Sequence, residues 1–284
     1  MAIEKWKYYN YAVIPTTAPH EEPDLTPIID GSIWKISEGT PYLARWTTDF
    51  DCGYETEWWY CIKDTPFDIF ALPSKKRYEI NKGIKNFDVK VIAPSEYKDD
   101  LYEITVDAYS SWSNKYRQSV DEDKFKTSID VWKDPIVVLG AFLKETGVLS
   151  GYAYLTEEYG YVNFNVMRTK PNCEKRGINA ALVAGVCEYY SERLSDGNGF
   201  YICDGSRNIL HKTSFQNYLE KYFGFRKAYC RLNLLYRKPF GTIVNLLMPF
   251  RKCLLKLDGF TVVSKINGIL RMEEIGRSQT NPEE

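Results

Sequence analysis

Three strand-like segments follow one another with almost no chain between them, and this arrangement restricts the fold more than any other feature of the sequence. They span residues 136–143, 148–155 and 161–167. The first two meet across the turn at residues 145–147, and the third alternates apolar with polar side chains. Turns this short join antiparallel neighbours of one sheet. A long amphipathic pattern over 172–194 follows, which predicts a helix that crosses over the sheet.

The flanking segments continue this mixture of strands and helices. The predicted elements around the three strands are a strand over 88–92, helices over 96–110 and 121–132, a strand over 199–203, a helix over 215–223 and a last strand or strand pair over 225–236. Apolar or small side chains recur at helical spacing in the first of these helices, at Leu101, Ile104, Thr105 and Ala108. We expect this face to be buried. The fold class is therefore α/β with a mixed sheet.

The N-terminal third of the chain has a different character. Prolines at positions 15, 19, 23 and 27 indicate an extended arm over 1–30. The strand-like runs that predict a small antiparallel β meander are 32–36, 42–46, 56–62 and 68–71. A basic helix over 72–86 then connects the meander to the mixed-sheet domain. The predicted segments are thus 1–30, 31–86, 87–238 and 239–284.

Composition and charge argue against several classes of protein. The formal net charge of −1 gives no global field for binding nucleic acid. The seven cysteines occur singly and there are only two histidines, so no metal site is predicted. Cysteines in apolar contexts, no signal peptide and no run of ~18 apolar residues favour a cytoplasmic protein.

A family resemblance is carried by three stretches, VVLGAFLKETGVLSGYAYL, VNFNVMRTKPNCEKRGINAALV and LEKYFGFRKAYCRLNLLYR. They resemble the second half of GNAT (GCN5-related N-acetyltransferase) acyltransferases, and Phe223–Phe225 resembles the Gly-Phe step before the last strands. Upstream, YLARWTTDFDCGYETEWWYCIKDTPFDIFALPSKKRYEINKGIKNFDVKVI is similar to the join between the halves of Fem-type aminoacyl transferases, which build cell-wall peptide bridges. The whole is also similar to acyltransferase-like proteins associated with surface-polysaccharide synthesis. The resemblance implies a GNAT-like domain preceded by the meander.

The resemblance also implies an acyl-CoA donor, acetyl-CoA or another. In the family, the donor pyrophosphate lies on backbone N–H groups at a helix N-terminus. The matching positions here are Glu174, Gly177 and Asn179, of which only Gly177 has the usual residue type. Arg176 is the expected source of the positive charge that Glu174 does not supply.

Further candidate ligands come from two other segments. A GNAT donor also lies along the preceding strand, which implicates Val166 and Arg168. On the basic helix over 72–86, Arg77 is a candidate for holding a phosphate-bearing acceptor or an RNA acceptor stem; a solvated helix face is the competing interpretation.

A polar loop after the penultimate strand contains the candidate catalytic groups. Asp204 and Arg207 follow that strand directly, and His211 lies four residues beyond Arg207. Polar groups at this end of a strand commonly line a ligand site. His211 is the candidate general base, and Asp204 either orients it or acts as the base itself. Arg207 is a candidate substrate ligand. The family's tyrosine acid has no match at its own position, so Tyr229 is the nearest candidate, with core packing as the alternative.

Residues 240–257 form an amphipathic basic stretch that is interrupted near Pro249. Two interpretations are open. The stretch docks on the domain, or it lies on an anionic membrane surface.

These features predict an N-acyltransferase that moves an acyl group from acyl-CoA to a small-molecule or glycan amine, such as an amino sugar in surface-polysaccharide synthesis. A first alternative is Fem-like transfer from aminoacyl-tRNA, which the basic helix and the atypical phosphate turn favour. A second alternative is a non-catalytic GNAT-like module that binds a glycan or a partner.

Overall fold

The computed structural model describes residues 4–112, 117–209, 214–257 and 260–279. Within these ranges the chain forms ten strands, β1 (Trp6–Tyr9), β2 (Ala12–Pro15), β3 (Leu43–Thr48), β4 (Trp58–Lys63), β5 (Phe87–Val91), β6 (Ile136–Leu143), β7 (Val148–Glu158), β8 (Tyr161–Thr169), β9 (Tyr201–Ser206) and β10 (Arg226–Tyr236). The same ranges contain ten α-helices, α1 (Thr26–Ile29), α2 (Ser74–Asn86), α3 (Lys98–Ser110), α4 (Glu122–Ile129), α5 (Ile178–Tyr189), α6 (Ser191–Ser195), α7 (Ser214–Phe223), α8 (Phe240–Leu247), α9 (Arg251–Leu255) and α10 (Thr261–Ser278). The predicted mixed α/β class is confirmed.

The chain divides into two compact units. One comprises the residues up to Cys61, those from Ser206 to Ser214 and those from Lys227 onward. The other comprises the residues from Ile62 to Gly205 and from Phe215 to Arg226. The chain therefore leaves the first unit and later returns to it, so each compact unit is built from segments that are not contiguous in the sequence.

In the first unit, a late strand lies among early ones. β1 pairs with β2, β2 pairs in parallel with β3, and β3 pairs antiparallel with β10. The order in this part of the sheet is β1-β2-β3-β10-β4. The N-terminal strands thus differ in their partners from the predicted meander, because β10 separates β3 from β4. Pairing between segments far apart in the chain is not encoded in their local patterns.

The N-terminal arm predicted over 1–30 contains the hairpin β1–β2. Trp6 and Val13 from this hairpin are buried, and they pack in one hydrophobic cluster with Ile33, Ile36 and Ala44. Burial of these side chains stabilises a segment whose prolines suggested an extended arm.

Two strands predicted in the N-terminal region are wrong. The structure has short 3-10 helices at Ser32–Lys35 and at Ile69–Ala71, where strands over 32–36 and 68–71 were expected. Short apolar runs do not distinguish a strand from a helical turn, and tertiary packing decides between them.

The second unit contains the three consecutive strands. Its sheet order is β9-β8-β7-β6-β5. β5 to β8 pair antiparallel with their neighbours, and β9 pairs with β8 in parallel. The hairpin predicted across residues 145–147 is confirmed, with Leu143 opposite Val148.

Helices α3 and α5 lie on opposite faces of this sheet. Tyr152 on β7 hydrogen-bonds Thr105 on α3 over 2.8 Å. The next residue back, Gly151, has no side chain, and a Cβ there would lie 3.0 Å from Ile178 Cδ1 on α5. Successive residues of a strand point to opposite faces, so the two helices cover different sides. The four residues predicted to form the buried face of α3 are all buried.

The single helix predicted over 172–194 is interrupted twice. Residues Pro171–Arg176 form a 3-10 helix that ends at Gly177 with a φ of 89°. α5 then ends at Tyr190, and α6 follows directly. A left-handed residue cannot continue an α-helix, so Gly177 sets the start of α5.

The C-terminal helices α8, α9 and α10 pack in the first unit. Ile275 of α10 lies in a hydrophobic cluster with Trp58, Cys230 and Leu232. In the described parts of the chain, no helix is both long and apolar enough to cross a membrane.

Candidate functional site

Strands β8 and β9 separate after three paired residues. Their parallel pairing covers Tyr161–Asn163 of β8 and Tyr201–Cys203 of β9. Both strands continue, but no further pair between them is present in the described residues. One edge of β8 beyond Asn163 is therefore open to an extended ligand.

A β-bulge in β8 coincides with this separation. Leu155 and Tyr154 are consecutive on β7, yet their partners on β8 are Phe164 and Val166, so Asn165 is an extra residue. Its side-chain amide donates to Thr156 Oγ1 over 2.6 Å. A bulge bends the strand that carries it and re-aims the side chains that follow. It also places Phe164 and Val166 on opposite faces, which breaks the alternation read from the sequence over 161–167.

Helix α7 closes one side of the opening. The ring of Phe215 contacts that of Phe164 at 5.9 Å between centroids. The next residue of α7, Gln216, is buried and its side-chain amide donates to the backbone oxygens of Asp204 and Gly205 over 3.5 and 3.4 Å. These contacts fix the chain where β9 leaves β8.

Asp204 is the first residue of β9 beyond the last pair with β8. Burial raises the pKa of its carboxyl from 3.8 to about 7, and a hydrogen bond from the side chain of Gln216 lowers it in part. A carboxyl with a pKa near neutrality can accept and return a proton at physiological pH, as a general base or acid requires. Asp204 therefore lies where the two strands separate, and its part in a site stays a prediction.

Two fully buried cysteines of this unit, Cys187 and Cys203, are poor nucleophiles. Burial raises the pKa of the Cys203 thiol to about 12, and burial also raises the pKa of Cys187 to about 12. A thiol must be ionised to attack an acyl carbon. We therefore place no covalent intermediate on either residue.

Arg168 lies further along β8 and is stacked on aromatic rings from the end of α3. Its guanidinium carbon lies 4.9 Å from the ring centre of Tyr109 and 5.1 Å from that of Trp112. Nη2 donates to the Tyr109 hydroxyl over 3.1 Å, and Nη1 donates to the Met167 carbonyl over 3.0 Å. Nε is buried and has no acceptor among the described residues. Stacking and these hydrogen bonds orient the Arg168 guanidinium and leave its Nε–H group without an acceptor among the described residues.

Close packing against helix α2 explains why a glycine, Gly177, precedes α5. A Cβ on Gly177 would lie 2.9 Å from the Gly83 backbone of α2, and one on Gly83 would lie 2.3 Å from the Gly177 carbonyl oxygen. The Gly177 N–H donates to Glu174 O over 2.9 Å. Helix α2 therefore packs against the turn that was expected to cradle a pyrophosphate, and one of its N–H groups is already used.

The other predicted donor ligands also have protein partners. Arg176 forms an ion pair with Glu145 at 2.7 Å. The Asn179 side-chain oxygen accepts a hydrogen bond from Thr169 Oγ1 over 3.0 Å. Val166 is partly buried and packs against the hydrophobic cluster beneath α3.

The remaining predicted site residues are distributed over both units. Arg77 on α2 donates to Ser74 Oγ over 3.3 Å and to Phe70 O over 3.5 Å. Arg207 and Tyr229 belong to the first unit. There Arg207 forms an ion pair with Glu57 at 2.6 Å. His211 lies outside the described residues.

Three residues near the candidate site and one buried lysine elsewhere in the second unit were missed in the sequence. Tyr109 and Gln216 lie on helices and Trp112 lies two residues beyond the end of α3; none of them gave a signal beyond ordinary amphipathic patterning. Lys63 is buried at 3% exposure and donates to Thr65 Oγ1 over 2.7 Å, and burial lowers its pKa. A lysine that ends an apolar strand run was the one available hint of a buried cation.

The element order is strand, two helices, three antiparallel strands, helix, strand, helix, strand, with an opening between the fourth and fifth strands. This is the order of a GNAT-like fold. L-PGS from Bacillus licheniformis is similar over 96% of this chain and 85% of its own, with a TM-score of 0.51 and 13% identity. FemX is similar over 78% of this chain and 81% of its own, with a TM-score of 0.50 and 9% identity. No protein-family model and no curated protein matches the sequence. The predicted resemblance to GNAT and Fem-type proteins is confirmed for the fold.

Proposed function

We propose that the protein is an acyltransferase that moves an acyl group to an amine acceptor in the opening between β8 and β9. The end of strand pairing after Asn163 and Cys203, with Asp204 next to it, carries this proposal. A ligand that carries amide N–H and C=O groups can hydrogen-bond the free backbone edge of β8. Small-molecule amines and amino sugars are acceptors of the required class.

Asp204 is the proposed general base. The acceptor nitrogen attacks the acyl carbonyl carbon, a C–N bond forms, and the bond from that carbon to the donor sulfur or oxygen breaks. The proton lost by the nitrogen goes to the Asp204 carboxylate, which then returns it to the departing thiolate or alkoxide. A pKa of about 7 leaves part of the carboxyl ionised at neutral pH and makes it a stronger base than an ordinary aspartate.

The donor is proposed to be an aminoacyl ester of tRNA rather than acyl-CoA. The packing of Gly83 on Gly177 supports this choice, because it accounts for the glycine of this turn without a CoA pyrophosphate. Helix α2 supplies a second observation. Its exposed residues Lys75, Lys82 and Lys85 share one face with Tyr78, which is 70% exposed. Lysines beside an exposed aromatic ring suit phosphates and unstacked bases.

Transfer assays with either donor test the two candidates directly. The protein is incubated with labelled acetyl-CoA or labelled aminoacyl-tRNA and a panel of amines. Asp204→Asn should lower the rate at least 100-fold, as is usual when a general base is removed, while Asp196→Asn at an exposed position should not. His211→Ala tests the other base predicted from the sequence. Unchanged transfer in Asp204→Asn would reject Asp204, and no transfer from either donor would favour a binding module.

A charge reversal on α2 distinguishes aminoacyl-tRNA from acyl-CoA as the donor. Lys82→Glu with Lys85→Glu should weaken tRNA binding and reduce its log–log salt slope by about two, because each phosphate contact contributes about one. Lys124→Glu with Lys133→Glu, at exposed lysines elsewhere in the same unit, is the matched control. Calorimetric binding of CoA by the wild type, unaffected by the α2 variant, would instead restore acyl-CoA as the donor.

A further inference from the structure

A row of apolar side chains faces outward along the helical segment 240–257. Its members, named here the C-terminal apolar surface, are Ile243, Leu246, Phe250, Cys253 and Leu257. They follow one another at intervals of three, four, three and four residues. Ile243 and Leu246 lie on α8, Phe250 ends a 3-10 turn, Cys253 lies on α9 and Leu257 follows it, so successive members are about one helical turn apart. All five are exposed, with Leu246 at 66% and Phe250 at 61%.

The opposite side of the same segment is packed against the protein. Val244 is buried. Arg251 forms an ion pair with Glu274 of α10, and the Leu254 carbonyl accepts a hydrogen bond from the Asn267 side chain over 3.1 Å. These contacts fix the rotation of the segment about its axis. The apolar surface is therefore exposed because another face of the segment docks on α10.

Exposed apolar side chains are concentrated in this region. Seven of the 22 large hydrophobic side chains that are exposed in the described residues lie between positions 243 and 262. They are Ile243, Leu246, Phe250, Leu255, Leu257, Phe260 and Val262. Such a concentration is unusual on a monomeric protein and indicates an interaction surface.

The charges that accompany this surface have one sign. Residues 240–257 include no Asp or Glu. Lys252 and Lys256 are exposed four residues apart, and neither forms an ion pair with another described residue. Their long side chains can extend beside the apolar surface and present ammonium groups at its margin.

We infer that the C-terminal apolar surface docks the protein on an anionic lipid bilayer, with the segment 240–257 lying in the plane of the interface. Apolar side chains that enter the acyl boundary and lysines that meet lipid phosphates are the chemistry of an interfacial helix. A second copy of the chain fits less well. A two-fold contact through this surface would bring Lys252 and Lys256 near their own copies, with no acidic residue of the segment to compensate. The inference is independent of the proposed acyl transfer.

Co-sedimentation with vesicles tests the inference. Full-length protein should bind vesicles of equimolar phosphatidylcholine and phosphatidylserine far more strongly than phosphatidylcholine alone. Lys252→Gln with Lys256→Gln should lower binding to the anionic vesicles roughly thirtyfold, since each lysine near the surface contributes about fivefold. Leu246→Glu with Phe250→Glu should abolish binding to both kinds of vesicle.

The matched control places the same number of glutamates at equally exposed apolar positions elsewhere. Ile29 and Val131 are 84% and 67% exposed, and Ile29→Glu with Val131→Glu should bind vesicles as the wild type does. Equal loss in this control would overturn the inference. The inference would also be overturned, in favour of self-association, by a second result. In it the wild-type protein does not bind anionic vesicles but forms an oligomer, and Leu246→Glu with Phe250→Glu dissociates that oligomer.

A fluorescent label on Cys253 gives a readout that does not depend on a disruptive variant. Cys253 is exposed on the apolar surface, and Cys52→Ser removes the other partly accessible thiol. A polarity-sensitive fluorophore at Cys253 should brighten and shift to the blue when anionic vesicles are added. The same fluorophore at an exposed site on α6, introduced by Ser195→Cys without Cys253, should not respond. Equal response at both positions, or none at Cys253, would contradict docking through this surface.

Discussion

Replacing Asp204 with asparagine removes a carboxyl whose pKa burial raises from 3.8 to about 7. The folded protein therefore holds this proton more tightly than the unfolded chain does. The stability that results is fully present below the unfolded-state pKa and is lost as the pH rises through the folded-state pKa. A difference of about three pKa units corresponds to roughly 4 kcal/mol, of which about 3 kcal/mol falls between about pH 5 and about pH 9. Asparagine has nearly the same shape and stays neutral across this range.

Urea unfolding of the wild type and of Asp204→Asn, measured at intervals across that pH range, checks this directly. The free energy of unfolding of the wild type, relative to the variant, should fall by about 3 kcal/mol as the pH rises and should level off above about pH 7. Asp196→Asn, at an exposed position, controls for the loss of one negative charge. A difference between wild type and Asp204→Asn that stays constant, or that grows with pH, would refute the burial of this carboxyl and with it the basis for Asp204 as the base.

Two further predictions concern stability. Gly177→Ala should lower the free energy of unfolding by about 2–4 kcal/mol, because it adds a clash with Gly83 to the strain of a positive φ. Gly147→Ala has a similar φ with open space around it and should cost only about 1 kcal/mol; equal losses in urea unfolding would contradict the close contact. Tyr152→Phe should cost about 1 kcal/mol, because it removes one buried hydrogen bond from Thr105, whose hydroxyl still donates to Leu101 O over 2.7 Å. In a double-mutant cycle Thr105→Val should then cost less in the Tyr152→Phe background, and strict additivity would exclude the hydrogen bond.

Gly177 illustrates how a motif position acquires a different explanation in three dimensions. In the sequence it is the best match to a phosphate-binding turn. In the structure its φ of 89° ends one helical segment, and its missing side chain admits the backbone of Gly83. Both helices approach more closely than any side chain at either position would permit. Helix packing therefore explains the glycine without a bound phosphate.

The sequence by itself determined the local elements of the second unit. The apolar runs over 136–143 and 148–155, the alternation over 161–167 and the period of 3.6 over 96–110 each predict a buried element. Strands β6 to β8 and the inner face of α3 could therefore be read directly, although the bulge in β8 breaks the alternation there. The end of apolar patterning at Cys203 drew attention to Asp204 as a candidate site residue, but the structure places Asp204 within β9 and not in a loop after it.

Only the tertiary structure decided the features that depend on contacts between distant segments. The place of β10 beside β3, the approach of Gly83 to Gly177 and the stacking of Arg168 on Tyr109 all join residues far apart in the chain. The pKa of Asp204 belongs to this group as well, because desolvation depends on what surrounds a carboxyl and not on its neighbours in sequence. Local patterns fix the elements, whereas the free energy of packing them selects their partners.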